Sequence, residues 1–201
     1  MGSQNTPHLT VVSGGGSLVQ APSDDALMAL TAGGEARAFE ALAQRHLHRV
    51  VSFCTRFVGN QVDGEELAQE VFVSLWSHRA RYQSRQQFSA FLFTLAVNHC
   101  RNHQRWWRRW LRADEQARNT PLSAEPASAL EALLDAERGR WLHDEVRKLS
   151  PLLREAVLLR FEQGLDYRAI GLVCGCSEGN ARARVFRAVE QLRTAQREVS
   201  R

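Results

Sequence analysis

The sequence predicts an all-α fold of two small helical bundles joined by a flexible acidic linker, with a helix-turn-helix in the second bundle. Three observations carry this reading. Apolar residues recur at helical spacing through most of the chain, and no stretch alternates in the manner of a strand. Residues 113–130 interrupt that pattern with Pro121, Pro126, serines and acids, which marks a linker. Residues 150–193 then set a short helix, a glycine-bearing turn and a longer arginine-rich helix in succession.

Taken in order, residues 1–22 are rich in glycine, serine and threonine and read as a disordered tail. Ser23 before Asp24 and Asp25 is a helix start, and Gly33-Gly34 breaks that first short helix. A long helix is expected from Glu35 to Val58, with Phe39, Leu42, Leu47, Val50, Cys54 and Phe57 as its inner stripe. Glu40, Arg45, His48, Arg49 and Arg56 form its solvated face, and Gly59-Asn60 ends it. Asp63-Gly64-Glu65-Glu66 then places acids on a first turn, where the helix dipole favours them. This helix buries Leu67, Val71 and Leu75, with Phe72 at the margin. It leaves Gln69, Glu70 and Trp76 for another surface.

A polar turn over about residues 79–87 leads into the next helix. Phe88, Phe91, Leu92 and Leu95 make its first half apolar. Its second half is basic, with Trp106, Trp107 and Trp110 set among arginines. Arginine neutralises phosphate and aromatic faces stack on exposed bases, so this end fits a polyanion. The plainer reading packs those tryptophans on a neighbouring domain.

From about Glu131 a helix with Leu133, Leu134, Trp141, Leu142, Val146 and Leu149 opens the second bundle. Ser150-Pro151 supplies a hydroxyl cap and a first-turn proline. Ala156, Val157, Leu159 and Phe161 continue an apolar stripe to a stop at Gly164. A short helix from about Asp166 turns Ile170 and Val173 inward, Gly175 permits the turn, and Ser177 caps the last helix. That helix hides Ala181, Val185, Ala188, Val189 and Leu192. It leaves Asn180, Arg182, Arg184, Arg187 and Arg193 on its other faces. A second helix carrying arginines from its first turns is how a recognition helix enters a major groove. Solvated arginines are the rival reading for a lone helix, but the preceding helix, turn and cap favour DNA. The domains expected are therefore a tail (1–22), a first bundle (23–112), the linker (113–130) and a second bundle (131–198).

Charge agrees with a nucleic-acid partner. The 201 residues carry a formal net charge of +4 and a pI near 9.2. Arg101, Arg105, Arg108, Arg109 and Arg112 form a run without an acid, and an acidic stretch follows it. The four cysteines make no disulfide framework, since Cys54 and Cys100 lie in helical patterns and Cys174 and Cys176 are too close to bridge easily. No apolar run reaches the length of a membrane span and no signal pattern opens the chain, so a cytoplasmic protein without direct membrane insertion is expected. His99 and His103 have a workable ligand spacing, but they lie in a different bundle from Cys174 and Cys176, and no metal or other cofactor is expected. No phosphate loop, nucleophile elbow or paired carboxylates are present, so no catalytic residue is assigned.

Four segments, in order, resemble the extracytoplasmic-function sigma factors, the small promoter-recognition subunits of bacterial RNA polymerase. FEALAQRHLHRVVSFCTRFVGN is similar to that family's first helix, and VDGEELAQEVFVSLW to its clamp-binding motif. FSAFLFTLAVNHCRNHQR resembles the promoter-opening helix, and LSPLLREAVLLRFEQGLDYRAIGLVCGCSEGNARARVFRAVEQLR the domain that reads the upstream element. The resemblance covers residues 24 to 195.

It implies that Asp63, Glu66, Leu67, Gln69, Glu70, Phe72 and Trp76 meet the clamp helices of the polymerase large subunit, with the flap as a further contact. It implies that Asn98, Arg101, Asn102 and Arg105, with Trp106 beside them, face the downstream element, where a base is flipped and held. Arg182, Ala183, Phe186 and Arg187 match recognition-helix positions, to which Ser177, Asn180 and Arg184 add their capping and polar groups. The acidic linker resembles the segment that runs toward the RNA exit path, and an anti-sigma factor is an implied partner. Asn180-Ala181 stands where that family commonly has Thr-Val, and Ala183 where it often has serine or lysine, departures that leave the domain's implied role intact but do not carry over the promoter sequence read. A repressor or activator with the same helix-turn-helix is the alternative, but it leaves the clamp-like motif without a purpose.

Overall fold

The computed structural model describes residues 22–83, 87–113 and 141–199, the side chains of 111–113 excepted. The tail before residue 22, the linker from 114 to 130 and the expected helix start at Glu131 lie outside the described residues. Within them every regular element is helical.

Helix α1 (Asp24–Ala32) starts at Ser23, whose Oγ accepts from the Ala26 amide at 3.2 Å. Helix α2 (Ala36–Val58) ends at Gly59 in a left-handed conformation. Helix α3 (Gln61–Ser77) begins two residues earlier than Asp63, because the Asn60 side chain accepts from Val62 N at 2.8 Å and caps it. Gly64 then lies against α2. A Cβ there would fall 2.2 Å from Thr55 Oγ1 and 2.5 Å from Thr55 Cα, so only glycine allows this crossing. A 3-10 turn (Arg79–Arg81) leads toward α4 (Phe88–Ala113).

These helices enclose Leu42, Val50, Phe53 and Phe57 of α2, Leu67, Val71 and Leu75 of α3, and Phe93, Ala96 and Val97 of α4. Phe53 meets Phe93 edge to face at 5.4 Å between centroids. One inner position differs from the expected stripe. Leu47 is 49 % exposed, and His46 points inward instead. The buried line runs in steps of four from Leu42 through His46 to Val50, the period of the helix. His46 Nε2 pairs with Asp24 Oδ2 at 2.8 Å and its ring lies against Phe88. Burial holds the imidazole below its usual pKa, with Asp24 opposing.

The second half comprises α5, described over 141–148, then α6 (Pro151–Phe161), α7 (Tyr167–Cys174) and α8 (Glu178–Val199). Pro151 holds the first position of α6, but the Ser150 hydroxyl makes no cap bond. Instead the Ser150 carbonyl accepts the first helical amides, from Leu153 and Arg154. Helix α6 is buried almost all round between α2, α7 and α8. Phe161, at its end, is 68 % exposed rather than part of the inner stripe. Asp166 caps α7 by accepting from Ala169 N at 2.7 Å. Gly175, at φ +67°, makes the left-handed turn, and Ser177 Oγ caps α8 at Asn180 N.

The two halves are in contact. Arg49 of α2 donates to Gln163 Oε1 and to Gln163 O, each at 3.1 Å. Ser52 bonds Glu162, and Arg56 Nε lies 3.3 Å from the same carboxylate. Arg49 and Arg56 are thus partnered rather than simply solvated. Helix α7 lies against α4.

Candidate functional site

Three surfaces hold the residues singled out by the sequence. The first is the outer face of α3. Glu66, Gln69 and Glu70 are exposed there, and Asp63 is half-buried beside His103, 3.7 Å away. Glu70 Oε2 accepts from His99 Nδ1 at 2.9 Å, which ties α3 to α4. Next to this acidic strip is an apolar hollow of about 400 Å³ lined by Ala36, Phe39, Phe72, Val73 and Trp76. Trp76 meets Phe39 edge-on at 5.1 Å, and Arg79 covers its face at 4.2 Å. Leu67 is only 4 % exposed, so it supports this surface from the core and cannot touch a partner directly. An acidic strip flanking an apolar hollow suits a basic, amphipathic helical partner.

The second surface is the far half of α4. Asn98, Asn102, Arg105, Trp106, Arg108 and Arg109 are exposed on it. Trp106, Trp107 and Trp110 form a chain of edge-to-face contacts at 5.4 and 5.5 Å. Trp107 Nε1 donates to His103 Nε2 at 2.9 Å, which anchors the chain on the helix. The tryptophans remain partly open to solvent, unlike side chains packed under a neighbouring domain. Exposed aromatics can stack bases while the arginines among them neutralise phosphates.

Arg101 is the exception on this helix. Its guanidinium makes a bidentate pair with Glu155 of α6, and the pair raises its pKa further. The third surface, α8, has a similar exception. Arg182, Phe186 and Arg187 are exposed and Asn180 lies at its open end, while Ala183 is half-buried. Arg182 stacks over the Tyr167 ring at 5.1 Å. Arg184, expected on the outer face, turns inward to Glu155 at 3.4 Å. Ser177 is engaged as the cap.

Residues 42–115 match the family model described as Sigma-70 region 2, and residues 139–192 match Sigma-70, region 4. RNA polymerase sigma factor CarQ of Myxococcus xanthus is 37 % identical over 159 residues, covering 78 % of this chain and 87 % of the relative. The chain belongs to the extracytoplasmic-function branch of the sigma-70 family. An ECF RNA polymerase sigma-E factor of Escherichia coli is 28 % identical over 187 residues, covering 85 % of this chain and 92 % of the relative. The RNA polymerase sigma-H factor of Pseudomonas aeruginosa is 27 % identical over 172 residues, covering 79 % and 86 %. Among solved structures, CnrH in complex with the cytosolic domain of CnrY superposes with a TM-score of 0.67 at 23 % identity, covering 87 % of this chain and 97 % of that one. The sigma factor RpoE from Bartonella quintana, in complex with the anti-sigma factor NepR, gives 0.67 at 21 % identity, covering 79 % and 96 %. At these identities the structural likeness concerns the fold.

Neither Arg154 nor Glu155 is marked by periodicity, yet among the described residues they are the most deeply buried of the Arg, Lys, Asp and Glu side chains. The Arg154 guanidinium donates to Val146 O, Arg147 O and Leu149 O at the end of α5, and to Phe57 O near the end of α2 at 2.6 Å. Two negative helix ends thus stabilise one buried cation. Burial lowers its pKa, but a guanidinium stays charged. A signal was present. Arg154-Glu155 interrupts the apolar run from Leu152 to Leu159, so a helix buried all round must bury a charge. Among the described residues no group of three His, Cys, Asp or Glu side chains could hold a metal ion.

Proposed function

We propose that this sigma factor directs bacterial RNA polymerase core to a specific set of promoters and assists their opening. The observation that carries this is the coexistence, on one chain, of the acidic α3 strip with its apolar hollow and an arginine-bearing helix-turn-helix. The two family matches in the same order support it. A repressor needs only the second of these. In this reading Asp63, Glu66, Gln69, Glu70, Phe72 and Trp76 meet the clamp helices of the large subunit. Asn98, Arg101, Asn102, Arg105 and Trp106 face the opened downstream element. Ser177, Asn180, Arg182, Ala183, Phe186 and Arg187 face the upstream element, with Arg184 behind them.

A second apolar groove, of about 480 Å³, lies between α5, α6 and α8 and is lined by Trp141, Leu142, Val157, Phe161 and Leu192. We assign it to the polymerase flap. The role asks for no catalytic side chain, in keeping with a family of initiation factors. The complex of a structural neighbour, the sigma factor RpoE, with the anti-sigma factor NepR supports an anti-sigma partner here as well. No described helix is long and apolar enough to cross a membrane, and we place the protein's work in the cytoplasm, where polymerase acts.

Arg182 and Arg187 are five residues apart, hence about 140° apart around α8. Arg182, nearer the helix start, reads a base and Arg187 grips the backbone. Binding of holoenzyme to a promoter and its single-base variants over a salt series tests both this and the core contact. Arg182→Ala should cost about 1–3 kcal/mol and relax preference at one position. Arg187→Ala should weaken all sequences alike and flatten the salt slope. Glu70→Lys should lose core in a pull-down while remaining folded. Full promoter selectivity by the isolated chain without core would favour the repressor reading instead.

A further inference from the structure

Between the far half of α4 and the start of α6 lies a cavity of about 460 Å³, with Arg101, Gln104, Arg105 and Arg108 on one side and Ser150 and Leu152 on the other. Small-molecule sites commonly occupy about 300–1,000 Å³. The four α4 residues fall three and four apart, so they share one face of the helix. No carboxylate is among the lining residues, and neither is any aromatic side chain.

The cavity holds more donors than partners. Arg108 bonds to no described residue. Arg105 bonds Asn102 Oδ1 of its own helix, at 3.3 Å. Arg101 engages Glu155 through Nε and Nη2 and leaves Nη1 open. The Ser150 hydroxyl makes no cap bond. Pro151 has no amide proton, and the Leu152 amide, the first in α6, has no carbonyl to meet within the helix. Positive charge is also in surplus. Glu155 faces Arg101 and Arg184, but Arg105 and Arg108 meet no carboxylate. Burial and then the charges of Arg147 and Arg108 lower the pKa of Arg154, a mark of cations crowded near this end of α6.

We propose that this cavity binds a short polyphosphate chain, free or as part of a nucleotide. Arg101 and Arg108 are seven residues apart, about 10 Å along the helix, too far for one tetrahedral anion to touch both. A chain of two or three phosphates offers an acceptor to each guanidinium in turn. It also reaches the Ser150 hydroxyl and the Leu152 amide at the positive end of α6. With no aromatic in the lining, a base attached to the chain finds nothing here to stack on, so the phosphates carry the recognition. Trp106, Trp107 and Trp110 lie outside the cavity. The bound chain offsets like charges that α4 and α6 bring together, and it stabilises the folded protein by mass action.

The test is isothermal titration calorimetry of the full-length protein with sodium tripolyphosphate, at a constant ionic strength of about 0.15 M. Binding should saturate. Arg108→Gln should weaken it about tenfold, the loss of one charge-assisted contact. Arg109→Gln makes the same charge change one residue away and outside the cavity, and should alter affinity by less than about twofold. Without ligand, Arg108→Gln should melt at or above the wild-type temperature, because a repulsion toward Arg154 is removed. Its loss of binding is then not a loss of fold. Tripolyphosphate should raise the melting temperature of wild type and leave that of Arg108→Gln unchanged. Adenosine and guanosine triphosphates distinguish the sources. Affinities equal to that of tripolyphosphate make the bare chain the ligand, and a clear preference for one nucleotide makes that nucleotide the source. Absence of saturable binding overturns the proposal. Equal weakening in the Arg108 and Arg109 variants also overturns it, since a basic helix then attracts anions without a site. If only a thymidine oligomer of matched phosphate content binds and depends on Arg108, the cavity belongs to a DNA strand and the proposal fails.

Discussion

In α1–α4 the deepest side chains are Phe53, Phe57, Phe88 and Phe93, whereas in α5–α8 they include Glu155, with Arg154 close behind. The first half is held by aromatic packing over a continuous apolar core. Among its described residues the buried polar groups are Thr31 and His46, both bonded within the same half. The second half is smaller, and among its described residues no aromatic side chain is fully buried. It compensates with a charged pair on one turn of α6. Arg154 closes α5 onto α2, and Glu155 draws α4 and α8 together. The difference teaches that the first half can stand as a platform, while the second carries part of its order at its border with the first.

The comparison predicts first that the aromatic core is the costliest place to cut. Phe93→Ala should destabilise the protein by about 3–5 kcal/mol in urea unfolding, since it opens a cavity facing Phe53. A loss near 1 kcal/mol would mean that the first half repacks readily and is no firmer than the second.

Next in size is the ion network. Glu155→Gln should cost about 2–3 kcal/mol, the moderate end for a buried pair, because both arginines keep some contact with water. Hydrogen exchange should rise over residues 141–199 and much less over 36–77. A uniform rise across both halves would erase the distinction drawn between them.

A smaller effect isolates local order in the first half. Asn60→Ala removes the cap of α3 and should cost about 1 kcal/mol, read as a lower melting temperature. The equivalent loss in the second half, Asp166→Ala at α7, should be of the same size, because capping depends on the helix end and not on the core behind it.

The smallest effect is pH dependence. Burial lowers the pKa of His46 in the first half and of His143 in the second. In the unfolded chain each takes a proton below about pH 6.5, but in the folded protein only at lower pH. The stability linked to their neutral forms is therefore complete above about pH 6.5 and is lost as pH falls through the lowered folded values. His46→Gln and His143→Gln should each flatten the fall in melting temperature between neutral and mildly acid pH. An unchanged slope in the His46 variant would show that Asp24 offsets its burial fully.

Much of this was legible in the chain. Ser23, Gly59, Gly175 and Ser177 mark their helix ends because capping acts within a few residues. The exposed positions of Gln69 and Glu70 follow from the same periodicity that buries Leu67, Val71 and Leu75. The start of α3 differs from the expectation because acids on a first turn resemble a beginning, while the actual cap, Asn60, sits directly against the preceding glycine stop. Residue type favours Leu47 as the core position, but the helical step selects His46 instead.

By itself the sequence determined the all-α architecture, the helix-turn-helix and the acidic face of α3. These depend on hydrophobic period, caps and local charge, whose partners lie within one or two turns. Only the tertiary structure decided that Arg101 and Arg184 share Glu155, that Arg49 binds Gln163, and that Arg154 joins two helix ends. The bonds joining the two halves span from 54 to 114 residues. An arginine on a helix looks the same in sequence whether water, DNA or a buried carboxylate receives it. The choice is made by which backbone and side-chain acceptors the packed helices bring within about 3 Å of the guanidinium.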